Sequence, residues 1–494
     1  MSELPTPPAM RILHAIHDFL PRHAAGSEIY AFHLCRELAA RHHVHVLAAE
    51  YDPGRPHGTL TWRVHEGLPV IELVNNWEGS FADSWRSARL TSQLDAVLRA
   101  TQPHVVHVHS LLNLSFDLPR LARARGAAVA ATLHDHSLAC PSGGQRLHLT
   151  ERTVCHEIDA ARCAACFPHS PFHAQLSVGA MSRAAGLGGS VVGRSARWMA
   201  KLAPGAAGAF RRQVLARAQP IEAAGIEERL AHLRQVFEAV QLFVAPSRSI
   251  ADAHERLGVH RSKLLVSDYG FAQRPSRRPA GENPSPLASP LSPVCIGFVG
   301  TLVWHKGLHV LLEAARELPS GAYEIEVWGA LDTFPEYTAS LRAMARGLPV
   351  RFCGPFHNGQ GAEIYRRFDL LVVPSLWPEN SPLVIHEAFM AGVPVVAARI
   401  GGIPELVTDG VNGALYEPAS PAALAETLRG LVLRPDRLAE MARHAPAVKT
   451  IAEDARDWEG RYESLREAAG SGFSTRSRGE FGPPNAGDET GPFI

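Results

Sequence analysis

This chain has no excess of either charge. Its 494 residues carry 49 lysines and arginines against 49 aspartates and glutamates, with a pI of about 7.4. No global basic field exists to gather a polyanion, which argues against nucleic acid as a partner. No uninterrupted apolar run reaches the roughly 20 residues that span a bilayer. The first eight residues lack the basic and apolar regions of a secretory signal, so the expected location is a cytoplasm. Cysteine is scarce. Of seven, Cys35, Cys295 and Cys353 stand singly in apolar segments and read as reduced packing residues. Gly-x-Gly-x-x-Gly is missing too, which leaves dinucleotide chemistry without support. One absence is local: no acidic residue occurs from Ala160 to Ile221.

What is present is a long alternation of apolar strands and amphipathic helices, with 46% hydrophobic residues to fill a large core. Strands are read at Arg11 to Ile16, Val44 to Ala48, Leu60 to His65, Val70 to Val74, His104 to His109, Ala128 to Leu133 and Leu242 to Ala245. A strand ending at Leu265-Val266 closes this first half. Residues 275–293 hold six prolines with Ser, Arg and Gly, a composition that reads as a linker. Beyond it, strands at Val294 to Gly300, Tyr323 to Trp328, Val350 to Phe352, Leu370 to Val373 and Val393 to Ala397 alternate with helices. The organisation is therefore α/β, with two doubly wound Rossmann-like domains. They are assigned to residues 1–274 and 294–450, followed by a last helix at 451–469 and a disordered tail at 470–494.

The most informative stretch runs from Asp369 to Glu405. A buried strand leads through a loop carrying Glu379 into a helix with Ser381 as its expected cap and Pro382 as its first residue. That helix is apolar on nearly every side, so Glu387 needs a partner: an arginine of a neighbouring helix, or the vicinal hydroxyls of a ligand. The helix N-terminus offers free backbone N–H groups and a positive dipole end suited to phosphate. Together they suggest a sugar nucleotide.

Glu379-x7-Glu387, then Gly401-Gly402-Ile403-Pro404-Glu405 and Asp409-Gly410-Val411-Asn412-Gly413, resemble the retaining nucleotide-sugar glycosyltransferases of family four, which have the GT-B fold. The resemblance implies two domains facing a cleft and donor binding in the second. It implies Glu379, His134 and Lys306 at the catalytic centre, and Gly26, Thr301, Lys306, Asn380, Ser381, Pro382, Leu383 and Glu387 around the donor. Glu379 would contact the hexose, Glu387 the ribose, and Lys306 with the N-terminal N–H groups of the helix that starts at Pro382 and Leu383 the departing phosphate. The implied partners are a UDP- or GDP-hexose and a glycan or lipid-linked acceptor, with no cofactor for catalysis. Ala25-Gly26-Ser27-Glu28 is similar to the family's Gly-Gly-Ala-Glu loop, with Ala25 for the first glycine. The last helix would cross back to the first domain.

One position departs from that pattern. Thr301 stands where the family carries an arginine that clamps the diphosphate, and threonine brings no charge. Either Arg399 or an arginine of the first domain substitutes, or the donor is held more weakly. The loss also keeps open a non-catalytic, sugar-nucleotide-binding subunit, whereas the complete Glu-x7-Glu disfavours an epimerase.

Cys140, Cys155, Cys163 and Cys166, spaced x14, x7 and x2, resemble a structural tetrahedral zinc site pinning a long loop; disulfides or free thiols are the alternative. In the acid-free stretch, Arg162, Arg183, Arg194, Arg197, Lys201, Arg211, Arg212 and Arg217 are interleaved with residues such as Trp198, Met199, Leu202 and Phe210. That pattern reads as a segment for an anionic membrane surface, or as a disordered insertion over 168–220 with solvated arginines.

Overall fold

The computed structural model describes residues 9–52, 54–77, 80–184, 221–272, 293–356 and 360–473. The first sheet has eight strands: β1 (Arg11–Ile16), β2 (His43–Glu50), β3 (Leu60–His65), β4 (Leu68–Val74), β5 (Val105–Val108), β6 (Ala128–Thr132), β7 (Leu242–Ala245) and β8 (Leu264–Val266). Their spatial order is β3-β4-β2-β1-β5-β6-β7-β8. All neighbours are parallel except β3, which returns on β4 through Glu66 and Gly67, both at positive φ. Such φ values suit a two-residue hairpin turn.

The second sheet comprises β9 (Val294–Val299), β10 (Tyr323–Trp328), β11 (Val350–Gly354), β12 (Leu370–Val373), β13 (Val395–Ala398) and β14 (Gly413–Tyr416). It is parallel throughout, in the order β11-β10-β9-β12-β13-β14. This is the doubly wound arrangement expected from the alternating pattern. The order reverses between β1 and β5 and between β9 and β12, where the carboxyl ends of strands leave a crevice for ligands. β14 was not expected: Gly413-Ala414-Leu415-Tyr416 is short and half-buried, and Asn412-Gly413 before it reads as a turn.

Each sheet buries apolar side chains on both faces, as parallel sheets do. On one face of the first sheet the core is completed from the far end of the chain. The helix Ile451–Phe473 inserts Ile451, Ala455, Trp458 and Tyr462 among residues of β1, β2, β5, β6 and the helix Gly26–Ala39. It runs past residue 469 to Phe473, through Gly470 and Gly472, which helix propensity alone does not favour. Asp454, 1% exposed, fixes it by accepting from Tyr30 Oη (2.7 Å), Lys449 Nζ (2.6 Å) and the Gly270 N–H (3.3 Å).

Part of the acid-free stretch is helical, at Ala160–Cys166 and Pro171–Ala184. Its segment around Trp198, the linker at 275–292 and the tail from 474 lie outside the described residues. Among the described residues no helix is long and apolar enough to cross a membrane.

Candidate active site

A cleft of about 850 Å³ lies between the two sheets' carboxyl edges, lined from both domains. On the second-domain wall, β9 is followed by Gly300 and Thr301 and then by a 3-10 turn, Trp304–Lys306. Gly307 closes that turn at φ 74, where a Cβ would lie 1.8 Å from the Pro374 carbonyl oxygen, so only glycine lets the turn pack on the end of β12. Lys306 is thereby aimed at the loop after β12. Its Nζ donates to Glu379 Oε1 at 2.7 Å and lies 5.4 Å over the Trp377 ring. Glu379, 5% exposed, also accepts from Ser375 Oγ at 2.7 Å. Its backbone is held by the Gly-Gly motif. Gly402 N–H donates to Glu379 O at 2.7 Å, and Gly401, at φ 60, leaves no room for a Cβ against the same carbonyl.

The cleft helix is Leu383–Ala391. Pro382 is its cap residue rather than its first helical one, and Ser381 does not cap it. Ser381 Oγ instead donates to Asp268 Oδ1 (2.7 Å) of the first domain and meets His386 Nε2 at 2.8 Å. A tertiary partner has won over the local cap, and the first turn is left without a side-chain acceptor, open to an anion. Glu387, partly exposed to the cleft, has found no arginine: Tyr365 Oη donates to its Oε2 at 2.6 Å. Burial pushes its carboxyl up to about 6, and the tyrosine hydrogen bond opposes this.

Thr301 is exposed on the cleft wall, and among the described residues no arginine replaces the one it lacks. Arg399 pairs with Asp409 at 2.9 Å and does not line the cleft. The only Lys or Arg side chains among the described lining residues are Lys306 and, at the first-domain end, Arg36, which is paired with Glu66.

On the opposite wall, Gly26 brings its helix against the cleft helix: a Cβ there would stand 3.0 Å from Leu383 Cδ1. His134 reaches the cleft, but both ring nitrogens are engaged. Nδ1 meets Tyr269 Oη at 2.9 Å and Nε2 meets His109 Nδ1 at 3.0 Å. The proton order follows from Asn380. Its Oδ1 accepts from Ser247 Oγ (2.8 Å), so its Nδ2 donates to the carbonyls of Leu133 (2.8 Å) and His134 (3.2 Å) and to Tyr269 Oη (3.3 Å). Tyr269 then donates to His134, His134 to His109, and His109 Nε2 to His14 Nδ1 at 2.9 Å. Burial lowers His134 to about 3, so the chain is neutral. His134 thus offers the cleft its ring face and backbone, and neither nitrogen is free to move a proton.

Asn380 and Ser381 spend their side chains on the other domain. Glu405 acts likewise, accepting from Arg248 N–H (2.7 Å) and Ser249 N–H (2.9 Å) at the start of the helix Arg248–Arg256. Tyr269, Tyr365, Trp377 and His109 were not singled out in the sequence. Each makes its site contact with a residue distant in the chain or by projecting from an unremarkable loop, which leaves no local signature.

The four clustered cysteines lie away from this cleft, around a separate small cavity, and are free thiols. Among the described residues, the sets of three or more side chains whose potential ligand atoms all lie within 4.8 Å of one another are His14, His107 and His109, and His17, Asp18 and Glu28.

Two family profiles match the chain: Glycosyltransferase Family 4 over residues 24–176 and Glycosyl transferases group 1 over residues 293–433. A D-inositol 3-phosphate glycosyltransferase of Corynebacterium urealyticum is 33% identical over 238 residues, which cover 44% of this chain and 54% of that protein. The corresponding enzyme of Rhodococcus erythropolis is 31% identical over 265 residues, 51% and 60% of the two chains. The chain therefore aligns with little more than half the length of these relatives. Among solved structures, HepE of Anabaena in complex with UDP and glucose superposes with a TM-score of 0.55 at 16% identity, covering 94% of this chain and all of that one. Two parallel-sheet domains around a shared cleft, the paired Lys306 and Glu379 at its centre, and family matches falling one in each domain give a single assignment: the chain belongs to the group 1 glycosyltransferases of family four, with the GT-B fold.

Proposed function

We propose that the protein transfers a hexosyl group from a UDP- or GDP-hexose to a glycan or lipid-linked saccharide, retaining the anomeric configuration. The observation that carries this reading is the 2.7 Å contact of Lys306 with buried Glu379, beside a helix N-terminus that has no side-chain cap. A cation and free N–H groups there match the charge that develops on a departing diphosphate. The carboxylate keeps the cation in place and can accept from hexose hydroxyls. HepE, whose structures hold UDP and UDP-glucose, supports a uridine donor. The C1–phosphate bond would break with its electron pair passing to the diphosphate. The acceptor oxygen would bond to C1 on the same face, and its proton would go to a phosphate oxygen. The neutral, fully engaged His134 supports this route, since it supplies no competing base.

The acid-free, basic stretch from Ala160 to Ile221 favours an acceptor at an anionic membrane surface. The test is a transfer assay over UDP- and GDP-hexoses, with soluble and vesicle-borne acceptors, for the native chain and Glu379→Ala. Transfer abolished in the variant and stimulated by anionic vesicles is expected. Donor binding without turnover by the native chain would remove the catalytic reading in favour of a sugar-nucleotide-binding subunit, and equal turnover by both proteins would remove Glu379 from the catalytic centre. Indifference to vesicles would remove the membrane one.

Donor affinity should also depend on pH. Glu387 accepts from hydroxyls best when ionised, and its carboxyl is raised to about 6, so nucleoside diphosphate binding should weaken as pH falls through 6 and level off above it. Titration calorimetry from pH 5 to 8 on the native chain and Glu387→Gln checks this. The variant should bind more weakly and lose the pH step, and a native affinity flat across that range would refute the role.

A further inference from the structure

We infer that Cys140, Cys155, Cys163 and Cys166 form a closed tetrathiolate site for one zinc ion, which clasps the loop after β6 and holds its tip against the donor-binding turn. All four side chains line a cavity of about 30 Å³, room for one small ion and little more. They are supplied by three separate pieces of backbone. Cys163 and Cys166 stand one turn apart on the helix Ala160–Cys166 and so share a face. Cys155 ends a small hairpin closed by the Leu147–Val154 bridge and the Cys155 N–H to Arg146 O bond at 2.7 Å. Cys140 follows the turn at His136, whose carbonyl accepts its N–H at 2.7 Å.

Charge points the same way. Arg229 and Arg146 are 4% and 8% exposed, and among the described residues no carboxylate lies within ion-pair distance of either. Arg229 spends its N–H groups on the carbonyls of Ser137 (2.7 Å) and Ala139 (3.1 Å), and Arg146 Nε has no partner. The ionisable groups of opposite sign that act on them are thiols of this cluster: Cys140 and Cys163 on Arg229, and these two with Cys155 on Arg146. Two buried guanidiniums without a counter-ion are costly. Zinc with four thiolates carries two negative charges, which balances them. Two sulfurs already accept N–H donors, Cys166 from Leu149 N (3.4 Å) and Cys155 from Arg162 Nη1 (3.5 Å), contacts that strengthen when the acceptor is a thiolate.

The sulfurs stand further apart than ligands do, since no three of them are among the sets within 4.8 Å. Binding would draw them inward to about 2.3 Å from a common centre. With four protein ligands the site has no open position, so its role is structural. What it supports is visible at the tip of the hairpin, where the Arg152 guanidinium lies 5.6 Å over the ring of Trp304, in the turn that carries Lys306. A clasp on the first domain thus reaches the second.

Metal analysis of the full chain purified without chelator should give about one zinc per chain. Cobalt exchanged into the site should show thiolate-to-cobalt charge-transfer absorption. Cys163→Ser should lose the metal and Cys353→Ser should keep it, and proteolysis between residues 146 and 156 should accelerate after zinc removal. If Cys163→Ser does not fold, chelation and cobalt exchange on the native chain decide alone. Folded native protein without metal, its four thiols reacting freely, overturns the site, and iron in place of zinc overturns the assignment of the ion.

Discussion

Replacing Lys306 by alanine should lower turnover by about 10²–10³-fold, the usual cost of removing one fixed donor to a developing anion. Among the described residues the loss has no substitute. Thr301 carries no charge, Arg399 is committed to Asp409, and Arg36 sits at the other end of the cleft. The variant suffers a second penalty, because Glu379 keeps only its Ser375 hydrogen bond and presents an unpaired carboxylate to an anionic donor. KM for the donor should therefore rise along with the fall in kcat. Glu379→Ala in the Lys306→Ala background should cost far less than in the native chain, since the two side chains act as one unit. Steady-state kinetics on the four proteins decides the matter. A Lys306→Ala enzyme within about threefold of native kcat would mean that the leaving group is stabilised elsewhere.

The second large effect is on stability. Asp454→Ala should destabilise the first domain by about 2–6 kcal/mol, the cost of leaving two buried donors unsatisfied at about 1–3 kcal/mol each. Lys449 keeps Asp457 at 2.7 Å, so the loss falls on the Tyr30 hydroxyl and the Gly270 N–H, both buried and both left without their acceptor. Asp454→Asn, which still accepts from Tyr30, should lie between the two. Calorimetry should find the first-domain transition lowered by about 10 °C, while that of the second domain, whose cores share no residue with this helix, stays in place. An unchanged thermogram would show that the helix is held by apolar packing alone.

Much of the fold was legible because fully buried parallel strands read as apolar runs. Arg11–Ile16, Leu242–Ala245 and Leu370–Val373 end where the pattern ends. β14 was hidden because half-burial and a turn dipeptide erase that pattern. The site divides along similar lines. Glu379, Glu387, Lys306 and the glycines behind them carry spacing that identifies a family. What each side chain touches is set by the other domain or by distant loops. Ser381 looks like a helix cap until Asp268 competes for its hydroxyl, and Glu387 looks in need of an arginine until Tyr365 arrives from 22 residues upstream. His134 looks like a free imidazole until Tyr269 and His109 take both its nitrogens.

The helix that crosses back has a consequence for how the chain is made. Domains emerging from a ribosome tend to fold in the order of synthesis, the N-terminal one first. Here the first domain cannot close one face of its sheet until Ile451, Ala455, Trp458 and Tyr462 exist, and these lie more than 400 residues after β1. Throughout elongation that face of β1, β2, β5 and β6 is an open apolar surface on the nascent chain, whereas the second domain holds every residue of its own two cores before the helix appears. The half that is begun first is finished last, and a stop codon just ahead of residue 451 would disable the half of the protein furthest from it in sequence.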